Sequence, residues 1–227
     1  MTHQDIDPLV VDRLRLALAA DSPSARLQTA MAAGLRPHDA YIDPLVTRFA
    51  VEPDFFVRDM LTWALVQHDR SRTLERILPE LHSAAPQARS QALHTLSKLG
   101  DRRAWPAITT ELLADAEDEV ARTAWRAAAT LVPPNEAAGL AEFLSTQFGR
   151  GDRVTQRSLS RALAMLGDGA TTVIERGRLH RNPAIRTHAI ATERLIRNPD
   201  EGFDVAIIAA QRIVALTGAP LVEDVEL

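Results

Sequence analysis

Apolar and small residues return at the third, fourth and seventh places after a polar turn along almost the whole chain. Counted from Arg58 in PDFFVRDMLTWAL (Pro53–Leu65), these places hold Leu61, Thr62 and Leu65. Counted from Arg89 in PQARSQALHTLSKLG (Pro86–Gly100), they hold Ala92, Leu93 and Leu96. That spacing is one face of a 3.6-residue helix. Ser22–Gly34, Asp118–Leu131, Asp152–Gly167 and Asn182–Leu195 carry further copies. The equivalent positions are Arg26, Arg58, Arg89, Ala121, Gln156 and Arg186, at steps of 32, 31, 32, 35 and 30 residues. A fixed period of this length is the signature of a repeat architecture.

Equally amphipathic segments lie between these copies, at Pro8–Ala20, Asp39–Val51, Arg72–His82, Trp105–Ala114, Glu136–Phe148 and Ala170–His180. Each repeat therefore reads as helix, turn, helix, with Gly, Pro, Asn and Asp at the boundaries. A last helix, about Glu201 to Leu216, is expected to seal the C-terminal end. Helix pairs of this size cannot bury their apolar faces alone and must stack. The expected fold is all-α: a right-handed α-solenoid of six helix-turn-helix repeats and about 13 helices, forming a single domain over residues 1–217. Residues 218–227 form an acidic tail, with Val222–Leu227 read as unstructured. Pro44, Pro79 and Pro106 fall within first helices, where each removes a hydrogen bond and bends the outer layer. Aromatic residues make up only 4% of the chain, and Tyr41 is the single tyrosine, which argues against an all-β fold.

Asp or Pro, then Val-Arg, then Ala and Leu at helical spacing, ending in Leu-Gly, resembles the HEAT repeat in its short bacterial form. DFFVRD, PQARSQALHTLSKLG and DEVARTAW carry the match, and the copies cover residues 7–197. The run VEPDFFVRDMLTWAL…PQARSQALHTLSKLGDRRAWPAI is similar to the HEAT region found attached to some MerR-like regulators. The copies at Ala121 and Gln156 lack the repeat arginine. The resemblance implies a scaffold fold and a regulatory context rather than a reaction.

The residues five places after each repeat position (Met31, Trp63, His94, Arg126, Arg161 and Ala191) should point away from the core. Those two places after it (Gln28, Met60, Gln91, Thr123, Ser158 and His188) should flank them. Together the two rows would line a concave groove, the surface on which solenoids hold partners. Trp and Arg are the usual anchors of such surfaces. The expected partner-binding set is Trp63, His94, Arg126 and Arg161, with Met60, Gln91 and Thr123 beside them. Trp63 is equally placed for groove or core. Trp125, at a fourth place, belongs to the core, and Trp105 packs at the start of an outer-layer helix. The Arg row itself has two readings: bridging neighbouring repeats and helix N-termini with nearby acids, or reading phosphates.

Composition narrows the chemistry. There is no cysteine, so disulfides, thiolate nucleophiles and Cys-ligated metals are excluded. The seven histidines form no HExxH and no His-Glu dipeptide, the pattern of metal-binding HEAT-like hydroxylases. Gly-rich phosphate loops and a G-x-S-x-G elbow are missing. The net charge is −4, and Lys98 is the only lysine. Charge is uneven: ten arginines against four acids lie between Gly149 and Arg197, whereas six acids face one arginine from Asp200 onward.

No signal peptide or membrane-length apolar run is evident, so a cytoplasmic location is expected. The expected function is a non-catalytic, monomeric scaffold that needs no cofactor or metal and binds a protein or peptide in its groove. The alternative is a nucleic-acid-binding protein, including a DNA-glycosylase-like variant that uses Asp59 beside Trp63. The acidic tail would compete with a partner for the basic last third.

Overall fold

A computed structural model describes residues 8–217; the acidic tail and the polar N-terminal segment Met1–Asp7 lie outside the described residues. The described residues form thirteen α-helices joined by turns and short 3₁₀ segments, with no strand. The chain divides into two compact units, Met1–Leu131 and Val132–Leu227.

The first unit contains four helix pairs. They are α1 (Pro8–Leu18) with α2 (Pro23–Leu35), α3 (Asp39–Phe49) with α4 (Phe55–Gln67), α5 (Arg70–Ile77) with α6 (Pro86–Leu99), and α7 (Thr110–Leu113) with α8 (Asp118–Leu131). The second helices α2, α4, α6 and α8 stack side by side in chain order, and α1, α3 and α5 form a parallel layer against them. Phe49, Leu61, Leu65, Leu93, Trp125 and Leu131 fill the space between the layers and are fully buried. This is how helix pairs stack in an α-solenoid. The second unit repeats the arrangement with α9 (Ala137–Ser145) and α10 (Arg153–Met165), then α11 (Thr171–Arg178) and α12 (Pro183–Arg197). Its last helix, α13 (Phe203–Thr217), packs along α12 and buries Ala191 under Phe203, Ala206, Ile207 and Ala210.

Four of the second helices, α2, α4, α10 and α12, start where a side chain can satisfy one of their first N–H groups, whereas α6 starts after Ala85 without a side-chain cap. Ser22, Asp54, Asp152 and Asn182 accept from Ala25, Val57, Thr155 and Ala184, as N-cap residues do. The first helices depart from expectation at their prolines. After α5 the chain tightens into a 3₁₀ segment, Leu78–His82, as it enters Pro79. The helix expected over Trp105–Ala114 is instead a 3₁₀ segment, Arg102–Ala107, followed by the four-residue α7. Pro106 has no N–H to give, and Ile108 and Thr109 run extended between the two pieces. Trp125 of α8 reaches across and donates its indole N–H to Leu113 O (2.8 Å), fixing the broken segment. By contrast, α3 runs on through Pro44.

Gly34 sets the approach of α2 to α4. A Cβ there would stand 2.5 Å from the Trp63 ring and 2.9 Å from Ala64 Cα. Because one obstacle is backbone, the helices themselves must shift. Gly34→Ala is therefore expected to cost about 1–3 kcal/mol in urea unfolding. Gly139→Ala in exposed α9, where a Cβ meets nothing within 4 Å, is expected to gain up to about 1 kcal/mol. Equal effects at the two sites would show that α2 and α4 are not in close contact.

Candidate functional site

The repeat arginines turn back on their own loops. Arg26 Nη1 donates to Ala20 O and Asp21 O, Arg58 Nη1 to Glu52 O and Pro53 O, and Arg89 Nη1 to Ser83 O and Ala84 O. Arg186 Nη1 likewise reaches His180 O, and Gln156 substitutes by donating to Gly151 O. Each residue thus satisfies carbonyls five or six positions before it. Two of these arginines also reach an acid 26 residues ahead. Arg26 forks onto Glu52 (2.8 and 2.7 Å), and Arg89 onto Asp115 (2.9 and 3.1 Å). Glu52 is wholly buried and accepts further bonds from Arg48 Nε and Asp54 N. Burial alone would raise its pKa, but Arg26, the Asp54 N–H and Arg48 together hold it down at about 2. Arg26 and Arg89 thus bridge repeats through Glu52 and Asp115, while Arg58, Gln156 and Arg186 hold their own loops. Arg26 and Arg89 have most of their donors on carbonyls and carboxylates, whereas Arg58 and Arg186 engage only Nη1.

Polar side chains also key neighbouring second helices. Between α4 and α6, Gln91 Nε2 donates to Arg58 O and Thr62 Oγ1, Thr62 meets Thr95, and Thr95 Oγ1 donates to Gln91 O. Between α10 and α12, His188 Nε2 contacts Gln156 O (2.9 Å) and Ser160 Oγ (3.1 Å), Ser160 meets Thr192, and Thr192 Oγ1 donates to His188 O. The two quartets use the same places of the repeat. Gly149 N donates to His188 Nδ1 (3.0 Å), which leaves the ring proton on Nε2, pointing at the Gln156 carbonyl. Burial depresses the His188 pKa to about 4, opposed by that carbonyl. The second-place residues Gln91, Thr123 and His188 thus belong largely to the seams between helices, whereas Gln28 stays exposed.

On the face of the second-helix layer of the first unit lies a cleft of about 280 Å³, lined among others by Arg58, Gln91, His94, Glu119, Thr123 and Arg126. Gln91 and Thr123 are buried at its floor, and Thr123 is held by Glu119 O and Ser90 Oγ. Arg126 Nη2 lies 2.9 Å from His94 Nδ1. A guanidinium can only donate, so His94 Nδ1 accepts and its Nε2 proton faces Asp59, 3.7 Å away. Burial, then Arg126 and Lys98, push the His94 pKa down to about 4, so the ring is neutral. Burial also lowers the pKa of Arg126, and Arg122 adds to this, while Glu119 opposes it. Glu119 pairs with Arg122 at 3.2 Å, and Arg126 makes no ion pair among the described residues. A partly desolvated cation therefore leans on a neutral imidazole and keeps donors for an incoming acceptor.

Trp63, 37% exposed with its ring over Gly34, lines a neighbouring depression of about 230 Å³ with Asp59 and Lys98. Met60 is half-buried and lines neither hollow. Arg161 is exposed on α10 in the second unit, and Ala191 is covered by α13. Two surface aromatics were not singled out from sequence: Phe55 and Phe56, 64% and 70% exposed, stacked edge-on at 5.6 Å. Arg58, on the cleft wall, sits 6.0 Å from the Phe55 ring. Their signal in the sequence is a pair of large aromatics ahead of the first core place of α4. Among the described residues no group of three or more His, Asp or Glu is placed to hold a metal ion, and no helix is long and apolar enough to cross a membrane.

No family model matches the chain, and no curated protein matches it. Two solved structures are similar over most of their length. An engineered protein shares 19% identity with a TM-score of 0.49, over 92% of this chain and 98% of that one. Human deoxyhypusine hydroxylase in complex with glycerol shares 14% with a TM-score of 0.45, over 91% and 95%. Neither likeness transfers a function.

Proposed function

We propose that this chain is a non-catalytic HEAT-like scaffold that holds a protein or peptide partner on the second-helix face of its first unit. One observation carries the reading: Arg126 makes no ion pair among the described residues, in a polar cleft whose wall also carries Arg58, itself over the exposed Phe55 ring, while Trp63 is partly exposed in the adjoining depression. An acidic side chain next to an apolar one fits that pairing. The carboxylate would take the free donors of Arg126, a charge-assisted contact, and the apolar group would cover exposed ring. Exposed apolar surface rimmed by polar groups marks interaction sites. The MerR-linked resemblance supports a regulatory setting for such a partner.

Peptides selected by display against the intact protein test this. Arg126→Gln and Trp63→Ala are each expected to weaken the selected acidic peptides by about tenfold or more, as hot-spot truncations do; Arg126→Gln should leave the melting temperature in place, whereas Trp63→Ala should lower it through the packing lost over Gly34. Duplex DNA is the control ligand. Retention of DNA that falls steeply with salt and ignores Trp63 would replace the protein-partner reading with the nucleic-acid one.

A further inference from the structure

Most of the arginines in the second unit are already matched. Arg153 lies 3.8 Å from Asp204, Arg178 and Arg197 each 2.8 Å from Glu193, and Arg194 pairs with Glu201. Arg157 and Arg161, one turn apart on α10, are different. Neither forms an ion pair or a side-chain hydrogen bond among the described residues. They stand on the wall of a trough of about 550 Å³ whose other lining is apolar, with Met165, Leu195, Ile196 and Phe203 among it. Among the described residues no carboxylate lines it. The neighbouring acids, Glu193 and Glu201, are held by other arginines.

The two ends of the trough differ in chemistry. Arg157, Arg161 and Met165 follow one another at four-residue steps along α10, about 12 Å from first to last. The guanidiniums begin this row and Met165, 53% exposed, ends it. Helix α12 runs beside α10 in the same direction, because Gln156 O meets His188 and Ser160 meets Thr192, both 32 residues on. The same offset brings Ile196, 41% exposed, beside Ala164 at the apolar end. Unmatched cations at one end and uncovered apolar side chains at the other define a site with a head and a body.

We propose that this trough binds an amphipathic acid, an apolar chain of about ten carbons ending in a carboxylate or phosphate that takes both guanidiniums. Arginine forks match either head, and a zigzag chain of that length covers the row from Arg157 to Met165. The volume falls within the range of small-molecule sites, about 300–1,000 Å³. A protein partner would instead cover about 800 Å² on this side. Every lining residue belongs to the second unit, so the site stands independently of the partner surface of the first.

Methyl-labelled methionine gives the test, because Met165 lies in the trough and Met31 and Met60 lie in the other unit. The Met165 signal is assigned with Met165→Leu in the full chain. Decanoate and decyl phosphate, below their micelle concentrations, are expected to move the Met165 signal saturably and leave Met31 and Met60 in place; the tighter of the two assigns the head. Decanol, which lacks the charge, and acetate, which lacks the chain, should each bind at least about tenfold more weakly. Arg157→Gln with Arg161→Gln should weaken decanoate by a similar factor, and Ile196→Trp, at an exposed position, should obstruct it. Decanol binding as tightly as both acids overturns the proposal, and this comparison needs no variant. So does a Met165 signal that neither acid moves, or one that moves only together with Met31 and Met60. A signal moved by acidic peptides but by neither acid also overturns it, because the trough is then a peptide site.

Discussion

Glu52→Ala is expected to lower unfolding stability by about 3–5 kcal/mol, the usual result of removing one member of a buried ion pair. Arg26 is itself buried and forks onto Glu52, so the variant leaves a guanidinium in the interior with only two backbone carbonyls. Arg48 and the Asp54 N–H lose their acceptor at the same time. Against a typical total of about 5–15 kcal/mol, a loss of this size would leave the first unit partly open at physiological temperature. Asp115→Ala, on the less buried Arg89 pair, should cost less. The double variant Arg26→Met/Glu52→Leu should recover part of the loss, because an apolar pair of similar volume removes the orphaned charge. Urea titration followed by the three tryptophans, all in the first unit, reads these differences. A Glu52→Ala loss below about 1 kcal/mol would mean that the network adds little beyond what solvent supplies.

The second unit is expected to loosen in mild acid. The His188 pKa is depressed from the ordinary 6.5 to about 4 by burial. The unfolded chain therefore takes up a proton at this residue near pH 6.5, while the folded chain resists until pH 4. Stability is full above pH 6.5 and falls as the pH drops towards 4, by about 3 kcal/mol for one group with a shift of this size. Protonation fails structurally because Nδ1 already accepts the Gly149 N–H, and Phe148 and Phe203 flank the ring. His94 acts in the same direction in the first unit. Glu52 contributes only lower, between 4.5 and about 2.

The counterpart of His188 in the other quartet is Gln91, which makes the same two bonds without a titratable group. His188→Gln should therefore keep the seam and flatten the acid response. Hydrogen exchange of α10 and α12 amides at pH 7 and pH 4.5 measures it. Wild-type protection should drop between the two, and the variant should lose less. Equal losses in both would remove His188 as the cause.

The second helices were legible because their spacing is local: apolar places three, four and seven residues on, and a capping Ser, Asp or Asn just ahead. The first helices were less so. Pro79 and Pro106 reveal that a helix is disturbed, but whether the chain tightens into 3₁₀ or breaks depends on what packs over it, and Trp125 does this from outside the segment. At the candidate site, Arg126 and His94 sit five places beyond their anchors, where a helical wheel puts them outside. Their mutual contact needed the register between α6 and α8. Gln91 and Thr123 follow the same wheel yet reach the seam, because residues two places on lie on the boundary between face and core. Glu52 escaped notice as part of an ordinary Glu-Pro turn, and its partner Arg26 lies 26 residues away in the chain. With the Arg89–Asp115 pair known, that interval becomes a signal that other sequences of this kind can be searched for.

The repeat arginines clasp carbonyls of the loop that leads into their own helix. A block cut from one such loop to the next therefore carries its clasp with it, and ties such as Arg26–Glu52 and the Gln91 quartet have to be remade at the join. Duplicating or deleting a block of that length would disturb only the join, which gives copy number a cheap route of variation. Past α12 that route is closed, because α13 lies over Ala191, where an added block would have to dock.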